Sequence, residues 1–344
     1  MRALVFHGPA DLGVEELPDP VPGPEEVLLR ITATGICGSD LHGYTGENGR
    51  RHAGQVMGHE TVGRVAAVGS SVPDHVDLRP GRMVTVNPVI GCGNCASCSA
   101  GDEQLCPRRR VIGVDPTLRS AFAELMIVPA ANVVSLPDDL PEEYGALVEP
   151  LAVGYHAAVR GRITPDDRVL VVGGGPIGQA CALAARRLGA DRIAVSDLSP
   201  RRRALLGRLD FTAIDPTDGE VGDQVRQALG RPADVVLDAV GTGASLAAAF
   251  AASTLGARIV LVGMNSPEIT MQAYEVSTQE RSITGSFCYP SAEFRRTAQW
   301  VASGPPGLEH LIEGRVPLAG GADAFARLAS GELDASKVLV LCQA

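Results

Sequence analysis

The sequence predicts an α/β protein of two domains, in which a mostly β domain is followed by a doubly wound parallel sheet. The length of 344 residues is enough for two domains of ordinary size, each with its own hydrophobic core. Residues 1–150 are rich in short strand-like runs, and after residue 167 apolar strands alternate with helical stretches. Such alternation is typical of βαβ units and therefore of a parallel sheet.

The first 150 residues predict a β domain because their apolar runs are short and show no long helical period. Examples are "EVLLRITATGI" and "HETVGRVAAVG", and clusters of glycine and proline separate such runs. The tail from about Pro290 combines one helix, "EFRRTAQWVASG", with the strand "KVLVLC". Because the tail is too short for a third domain, we expect it to pack back onto the first.

The parallel sheet is predicted from the apolar runs "DRVLVV", "RIAVSD", "ADVVLDAVG" and "ARIVLVGM" and the Ala/Leu/Arg-rich segments that adjoin them. Residues 169–185 form an apolar run of about membrane length, but glycine and proline interrupt its first half, which favours a strand, a turn and a helix. The N-terminal "MRALVFHGPADLGVEEL" does not have the pattern of a signal peptide. We therefore expect a soluble, cytoplasmic protein with reduced thiols and no membrane partner.

Composition excludes several classes of function. The formal net charge of -10 argues against a nucleic-acid partner, and the arginine clusters at 108–110 and 201–203 lack the interleaved aromatic residues of a stacking surface. The only lysine, Lys337, is not part of a Gly-Lys-Ser/Thr phosphate loop. Leu333 stands four residues before it, which excludes a Tyr-x-x-x-Lys reductase.

A dinucleotide-binding turn is predicted in "VLVVGGGPIGQACALAARRLGA", where Gly173, Gly175 and Gly178 have the G-x-G-x-x-G spacing. The first glycine makes a tight turn, the second lets the backbone approach a pyrophosphate, and the third lets helix and strand pack closely. The helix N-terminus then faces the anion. Gly189 ends the helix as a C-cap, and the next strand finishes in Asp197, nineteen residues after Gly178.

Asp197 is predicted to bind the ribose hydroxyls of the cofactor, since it stands where the fingerprint places an acidic residue. A carboxylate there repels a 2′-phosphate, so NAD is favoured over NADP, although Arg201 and Arg202 keep NADP open. Asp197 also has a structural interpretation as the turn residue ahead of a helix that Ser199 and Pro200 would start. The predicted cofactor-binding residues are Gly173, Gly175, Pro176, Ile177, Gly178, Asp197, Arg202, Val240 and Val262.

A metal site is predicted in "GCGNCASCSAGDEQLC", within a loop of about residues 91–107. Its cysteines, Cys92, Cys95, Cys98 and Cys106, have the spacing C-x2-C-x2-C-x7-C. Disulfides are disfavoured in a reducing compartment. Four thiolates can enclose one tetrahedral Zn²⁺ and leave no open position, so we expect a structural zinc. An iron site would use the same ligands, but a hydride-transfer cofactor makes an electron-transfer iron unnecessary.

A second group of metal-binding residue types lies upstream: Cys37 in "GICGSDLHGY", and His59 and Glu60 in "MGHETVG". Each alone is ambiguous, because a single cysteine is often part of a core and a His-Glu pair is often polar surface. The cysteine-rich loop and the dinucleotide fingerprint in the same chain favour a metal-binding interpretation.

In combination, these motifs resemble the zinc-dependent medium-chain dehydrogenases, and within that family the sorbitol, threonine and butanediol branch. The resemblance runs over nearly the whole chain and rests on "GICGSDLH", "GHE", the four-cysteine loop, "LVEPLAVGYHA" and "VVGGGPIG" in this order. It implies a GroES-like β domain of residues 1–152 with 291–344, a Rossmann domain of residues 153–290, and an active site in the cleft between them. It also implies a homo-oligomer, either a tetramer or a dimer.

By the same resemblance, Cys37, His59 and Glu60 are ligands of a catalytic Zn²⁺, and Glu149 of "LVEP" lies in or next to the coordination shell. The simple alcohol dehydrogenase branch has cysteine where this chain has Glu149, whereas the sorbitol and threonine branches have glutamate. The resemblance therefore implies oxidation of a secondary alcohol in a polyol, vicinal diol or hydroxy-amino acid. Ser39 and His42 would form the proton relay beside the metal.

Two alternatives to this function stay open. One is an NADP-dependent reductase of aldehydes or ketones within the same family, and the other is a catalytically silent relative that binds metal and nucleotide. The sequence departs from the family in "GVDPTLRSAFAELM", where Ser120 and Ala121 stand in place of two glycines. The polar segment "GYTGENGRRHAGQ" holds Arg50, Arg51 and His52, which would meet either an anionic substrate or water.

Overall fold

The computed structural model describes residues 1–47, 49–73 and 77–343. The strands are β1 (Arg2–Gly8), β2 (Asp11–Glu16), β3 (Glu26–Gly35), β4 (Gln55–Val56), β5 (Glu60–Val68), β6 (Met83–Val86), β7 (Val89–Ile90), β8 (Arg110–Val111), β9 (Leu125–Pro129), β10 (Val133–Ser135), β11 (Arg168–Val172), β12 (Arg192–Ser196), β13 (Thr212–Ile214), β14 (Ala233–Asp238), β15 (Ser253–Leu261), β16 (Ser282–Gly285), β17 (Gly314–Pro317) and β18 (Val338–Leu341). The α-helices are α1 (Gly38–Tyr44), α2 (Ala96–Ser99), α3 (Val148–Arg160), α4 (Pro176–Arg187), α5 (Pro200–Arg208), α6 (Val221–Leu229), α7 (Gly243–Ala252), α8 (Tyr274–Ser277), α9 (Ser291–Ala302), α10 (Leu308–Leu311) and α11 (Gly321–Ala329). Four 3-10 helices cover Glu103–Leu105, Ala130–Asn132, Glu142–Leu147 and Leu318–Gly320.

The chain forms two compact units. The first contains Met1–Glu149 and Pro290–Ala344, and the second contains Pro150–Tyr289. In the first unit, a three-stranded sheet has the order β2-β1-β4, and a seven-stranded sheet has the order β10-β6-β5-β3-β18-β17 with β9 paired to β3. The tail thus contributes two strands to this sheet, because β18 pairs with β3 and β17 pairs with β18.

The register of the seven-stranded sheet places Glu60 and the start of β18 on either side of Gly35, at the C-terminal end of β3. Strand β3 runs antiparallel to β5, and Gly35 lies opposite Glu60. On its other side β3 runs antiparallel to β18, where Leu339 lies opposite Gly35. The last strand of the chain therefore begins beside the "GHE" segment, although about 280 residues separate the two in sequence.

The core of the first unit is built from strand residues that alternate between its faces. In β3, Val27, Leu29 and Ile31 are completely buried, as the period of two predicts. They join a cluster that includes Phe122 and Phe325, whose ring centroids lie 5.5 Å apart at an interplanar angle of 84°. This edge-to-face packing holds α11 of the tail against the strands.

The second unit is a six-stranded parallel sheet with the order β13-β12-β11-β14-β15-β16. This order, in which the first strand lies at the centre and the chain winds outward in both directions, is that of a Rossmann domain. The predicted α/β fold with a β domain and a doubly wound sheet is confirmed. Among the described residues, the longest helix is α3 with 13 residues, and none has the length and apolar character to cross a membrane.

Helix starts in the second unit follow the signals in the sequence. Ser199 caps α5 by accepting a hydrogen bond from the backbone N–H of Arg202, and Pro200 occupies the first turn. Thr242 and Ser245 form a reciprocal capping box at the start of α7. Such local signals explain why the alternation of strands and helices was readable from the sequence.

Arg281 ties three elements of the second unit together. Its side chain is buried and donates to the carbonyl oxygens of Phe250 at 2.9 Å, Ser253 at 2.8 Å and Thr254 at 3.2 Å. It also pairs with the carboxylate of Glu275 at 2.7 Å. The planar guanidinium can serve these acceptors at once because it presents five N–H donors in a fixed geometry. It thereby satisfies carbonyls where α7 ends and β15 begins.

We predict that Arg281→Met lowers the free energy of unfolding by about 3 kcal/mol, because buried carbonyls and Glu275 lose their donor. Thermal or urea unfolding measures this loss. Arg226→Met is the control, since Arg226 is exposed and pairs with Asp223 one helical turn away, and we expect a change below about 0.5 kcal/mol. Equal melting of the two variants would contradict the assigned role of Arg281.

Candidate functional site

Cys37 lies between β3 and α1. It occupies the N-cap position of this helix with extended backbone angles, φ -93° and ψ 153°. Its backbone N–H donates to the carboxylate of Asp40, with an N to Oδ2 distance of 3.2 Å. Because the helix begins directly after it and the strand ends just before it, the thiol is held between two regular elements.

His59 and Glu60 lie where β5 begins, and they directly follow Gly58, where the backbone conformation requires glycine. Gly58 has φ +98°, and a Cβ at that position would lie 3.0 Å from the backbone nitrogen of Phe122. The next two side chains are turned into the interior, with His59 7% exposed and Glu60 1% exposed. The segment "GHE" thus has a buried imidazole and a buried carboxylate at neighbouring positions.

The structure brings Cys37, His59 and Glu60 together, with one ligand atom from each lying within 4.8 Å of the others. Glu60 Oε1 is buried and has no hydrogen-bond partner, and His59 Nδ1 lies 3.7 Å from Asp40 Oδ1. Buried polar atoms without partners are rare and point to a missing ion or water. A thiol, an imidazole and a carboxylate form a donor set that suits Zn²⁺, so the group fits a metal site.

Glu149 lies outside this group of three but close enough to affect it. Its residue is 6% exposed, in the first turn of α3. Burial alone would lower the pKa of His59, but the negative charges of Asp40, Cys37 and Glu149 overcome this and raise the pKa well above its usual value. The imidazole is therefore held in a strongly anionic environment, as a cation site requires.

Lys337 is a member of this centre that sequence reasoning missed. The side chain is 3% exposed, and its ammonium contacts the Glu60 carboxylate and donates to the carbonyl of Ile36 at 3.2 Å. Burial would lower the pKa of Lys337, but the attraction of Glu60 and Cys37 raises it, so the lysine stays charged. The signal in the sequence was a lone lysine placed directly before the apolar strand "VLVLC".

Ser39 and His42 lie on α1, which follows Cys37 directly. Both side chains are half-buried, and His42 is in the last turn of the helix. The helix therefore presents a hydroxyl and an imidazole within five residues of the thiol. Their part in a proton relay stays a prediction.

The four cysteines of the loop form a second group, with their sulfur atoms within 4.8 Å of one another. The Sγ atoms of Cys92 and Cys98 are 4.0 Å apart, and the backbone N–H of Cys98 donates to Cys95 Sγ at 3.5 Å. All are free thiols, and Cys106 is the one fully buried. Sulfur ligands from a single short loop suit a closed tetrahedral zinc site.

The thiols of this loop differ in acidity. The backbone N–H of Asn94 and the guanidinium of Arg108 lower the pKa of Cys92 to about 6. Burial raises the pKa of Cys98 to about 11. A bound cation would stabilise the thiolate form of this group, because thiolates crowded together otherwise repel one another.

The second unit collects the predicted cofactor residues at the carboxyl edge of its sheet. Gly173, Asp197, Val240 and Val262 follow the strands β11, β12, β14 and β15, respectively. In an open parallel sheet, ligands bind at this edge where the winding direction changes. The strand order places that change beside β11.

The glycine turn is closely packed. Gly173 has φ +92°, and a Cβ on Gly178 would lie 1.7 Å from the Gly173 carbonyl oxygen. Val240 covers the turn, since its Cγ2 would be 2.7 Å from a Cβ on Gly173. Gly175 caps α4, and Pro176 with Ile177 forms the first turn of that helix. Its exposed N–H groups make an anion-binding helix end.

Asp197 is held by the backbone on both carboxylate oxygens. Oδ2 accepts from the N–H of Gly174 at 2.6 Å, and Oδ1 accepts from the N–H of Ser199 at 2.7 Å. The guanidinium of Arg202 lies 3.7 Å from Oδ2. The turn role and the ribose role considered for Asp197 are thus compatible, because each oxygen has two lone pairs.

The fold and these groups of residues define a class: a GroES-like β unit that brings a cysteine, a buried histidine and a buried glutamate together, and a Rossmann unit with a glycine turn. Residues 23–138 match the alcohol dehydrogenase GroES-like domain, and residues 176–303 match the zinc-binding dehydrogenase domain. The chain belongs to the zinc-dependent medium-chain dehydrogenases, in their sorbitol-type branch, and is therefore an oxidoreductase.

Individual relatives cover nearly the whole chain. Sorbitol dehydrogenase of Bacillus subtilis strain 168 is 33% identical over 348 residues, with 99% of this chain and 97% of the relative covered. L-galactonate-5-dehydrogenase of Escherichia coli K12 is 31% identical, with 95% of each covered. A structure bound to NADP, from Sinorhizobium meliloti 1021, superimposes with a TM-score of 0.89 at 30% identity, covering 99% and 98%.

We predict that the two cysteine groups respond differently to substitution. Cys95→Ser should lose about one zinc per chain and several kcal/mol of stability, because structural zinc binding contributes to the free energy of folding. Cys37→Ser should lose the other zinc and turnover, with a melting temperature near that of the wild type. Metal analysis by mass spectrometry and thermal melts measure both effects.

Cys181→Ala is the control for this experiment. Cys181 is buried in the second unit, outside both groups, and burial raises its pKa to about 12. The variant should keep both metal ions. A wild type with a single zinc, or a Cys37→Ser that unfolds while Cys95→Ser stays stable, would show that the two-site interpretation is wrong.

Proposed function

We propose that the protein is an NAD- and zinc-dependent dehydrogenase that oxidises a secondary alcohol in a polyol, vicinal diol or hydroxy-amino acid. The observation that carries this proposal is the buried group of Cys37, His59 and Glu60, with Glu149 and not a cysteine nearby. Three protein ligands leave a position for an alcohol oxygen, whereas a four-thiolate cage leaves none.

In this proposal Cys37, His59 and Glu60 hold the catalytic zinc, and Glu149 lies in or next to its coordination shell. Cys92, Cys95, Cys98 and Cys106 hold a structural zinc. The catalytic zinc, when bound, supplies Lewis acidity that lowers the pKa of the substrate hydroxyl. Lys337 keeps Glu60 in place by contacting one carboxylate oxygen, so that the other, Oε1, is left for a ligand role.

The residues of α1 remove the proton. Ser39 would accept the proton from the substrate hydroxyl while its own hydroxyl proton leaves toward His42, which would pass a proton on toward solvent. Both side chains are half-buried, which agrees with a path from an enclosed site to water. NAD, held at the turn of Gly173, Gly175 and Gly178, would supply the hydride acceptor for the alcohol carbon.

Two observations support a polyol or a related compound as the substrate. Glu149 places a carboxylate near the proposed metal ligands, and its oxygens accept hydrogen bonds more strongly than the sulfur of a cysteine at that position would. The relatives named above are dehydrogenases of sorbitol and of L-galactonate, both polyhydroxylated compounds. Neighbouring hydroxyls offer additional hydrogen bonds, and a site built around buried polar groups discriminates strongly against substrates that lack them.

NAD is favoured by Asp197, whose carboxylate ends β12 where the ribose hydroxyls would bind. A second candidate, NADP, is supported by Arg202 and by the NADP-bound structure from Sinorhizobium meliloti. We prefer NAD because Arg202 already lies beside the Asp197 carboxylate, and a 2′-phosphate would have to approach that carboxylate.

We predict that sorbitol, butanediol, L-galactonate or L-threonine is oxidised with NAD faster than ethanol is. A panel of these alcohols, followed by NADH absorbance, tests the proposal. Cys37→Ser should abolish the signal for every substrate, which separates zinc-dependent turnover from a contaminating activity. If the purified, zinc-loaded protein oxidises none of the panel and instead reduces aldehydes with NADPH, the reductase alternative is correct.

We predict that Asp197→Asn raises the ratio of kcat/KM with NADP to that with NAD by about tenfold, because the repulsion of the 2′-phosphate is removed. Asparagine keeps the shape of aspartate and one acceptor oxygen, so it retains one of the two bonds from the Gly174 and Ser199 N–H groups. Asp191→Asn is the matched control, since Asp191 is an exposed residue just before the same strand. A wild type that already prefers NADP would rule out the role given to Asp197.

A further inference from the structure

Arg51 is a buried cation that the proposed reaction leaves without a role. It lies between α1 and β4, with a side chain only 2% exposed. Nη2 donates to the carbonyl of Ser39 at 3.3 Å, and Nε lies 3.2 Å from the sulfur of Met57. The guanidinium therefore faces the protein interior. It contacts neither of the two partners that the sequence suggested, which were an anionic substrate and water.

The charge partner of Arg51 is Asp40, which is completely buried. Arg51 Nη2 lies 3.8 Å from Asp40 Oδ1, and the same oxygen lies 3.7 Å from His59 Nδ1. Asp40 Oδ2 accepts from the backbone N–H of Cys37 at 3.2 Å. One carboxylate thus connects the guanidinium to two of the proposed metal ligands.

The absence of a side chain at Gly43 provides the space that the Arg51 side chain occupies. Gly43 lies on α1, and a Cβ there would be 2.7 Å from both Cγ and Nε of Arg51. Any residue other than glycine would have to displace the arginine. Glycine in a helix costs about 1 kcal/mol relative to alanine, so its presence here indicates that the close approach of Arg51 matters.

The charges around the centre balance when Arg51 is included. The anionic groups are the thiolate of Cys37 and the carboxylates of Asp40, Glu60 and Glu149, and the buried cations are Arg51 and Lys337. A divalent ion at the centre would then make the group neutral. Since uncompensated charge is costly in a buried site, loss of either cation would leave a buried carboxylate without its partner and free to move out of position.

We propose that Arg51 is a positioning residue for the catalytic metal: it fixes Asp40, which in turn orients His59 and the backbone of Cys37. The proposal rests on the proposed function, because it takes Cys37, His59 and Glu60 as the metal ligands. Groups that orient a metal-binding histidine typically contribute 10- to 100-fold to metal affinity. Arg51 acts one contact further out, through Asp40.

The test measures the release of the catalytic zinc into increasing concentrations of a chelator, with metal content determined by mass spectrometry. Arg51→Met should release one zinc per chain at about tenfold lower chelator concentration than the wild type. Arg51→Lys keeps the charge without the planar fork, so it should fall between the two. Arg50→Met is the matched control, because Arg50 is the exposed neighbour in sequence, and it should behave as the wild type does.

Gly43→Ala tests the same contact without changing any charge. Its Cβ would displace Arg51, so we expect earlier release of zinc, even though alanine favours the helix. A role of Arg51 in stability alone predicts that Gly43→Ala and Arg51→Met lower the melting temperature without any change in zinc release. If Arg51→Met does not fold, Gly43→Ala and Arg51→Lys still decide the question.

A second readout is the absorption spectrum of Co²⁺ in the catalytic site, obtained as the difference between each protein and its Cys37→Ser version. Displaced ligands change the intensity and position of the bands, and Arg51→Lys should restore part of the wild-type spectrum. Wild-type zinc release and spectra in both Arg51→Met and Gly43→Ala would overturn the proposal.

Failure of the proposed function has a different signature. If Cys37→Ser keeps the same zinc content as the wild type, there is no metal at this group, and the proposed function fails independently of Arg51. If Cys37→Ser loses one zinc but Arg51→Met binds it as tightly as the wild type does, only the role of Arg51 is rejected.

Discussion

The contact between Lys337 and Glu60 is the interaction on which the group of Cys37, His59 and Glu60, the candidate metal site of the first unit, depends. Both side chains are almost completely buried, and the ammonium holds one carboxylate oxygen while the other has no hydrogen-bond partner. The contact forms because β3 lies between β5 and β18, which brings both residues to Gly35, where a Cβ would lie 2.2 Å from Glu60 Oε2. Removal of one partner of such a pair costs about 3–5 kcal/mol, so the tail is needed for the centre.

The two groups of metal-binding residues in the first unit are built on different physical principles. The four cysteines come from one short loop, and their spacing alone brings the sulfur atoms together. Cys37 lies at the start of α1, and His59 and Glu60 lie where β5 begins, so their position depends on the sheet register and on buried countercharges. A closed cage of thiolates can stabilise a loop, whereas a buried group with unsatisfied atoms is suited to bind and polarise a ligand.

Much of the fold could be predicted because its signals are local. The glycine turn, the caps at Ser199 and Thr242, and the alternation of strands and helices each depend on residues within a few positions of one another. Short strands such as β13 and β16 were not predicted, since three or four residues have too little pattern to separate them from loops. Asp40 was passed over for a related reason, because an acidic residue next to a serine is ordinary in a helix start.

The sequence by itself determined the family, the α/β class, the dinucleotide turn and the cysteine loop, because each rests on residue types at short, fixed spacing. Only the tertiary structure decided which charges the centre contains. Arg51 looked like a surface residue in a polar segment, and Lys337 was informative only as the single lysine, yet both are buried beside carboxylates. The physical reason is that burial and ion pairing depend on strand register and on packing between distant segments, and spacing along one sequence carries no information about either.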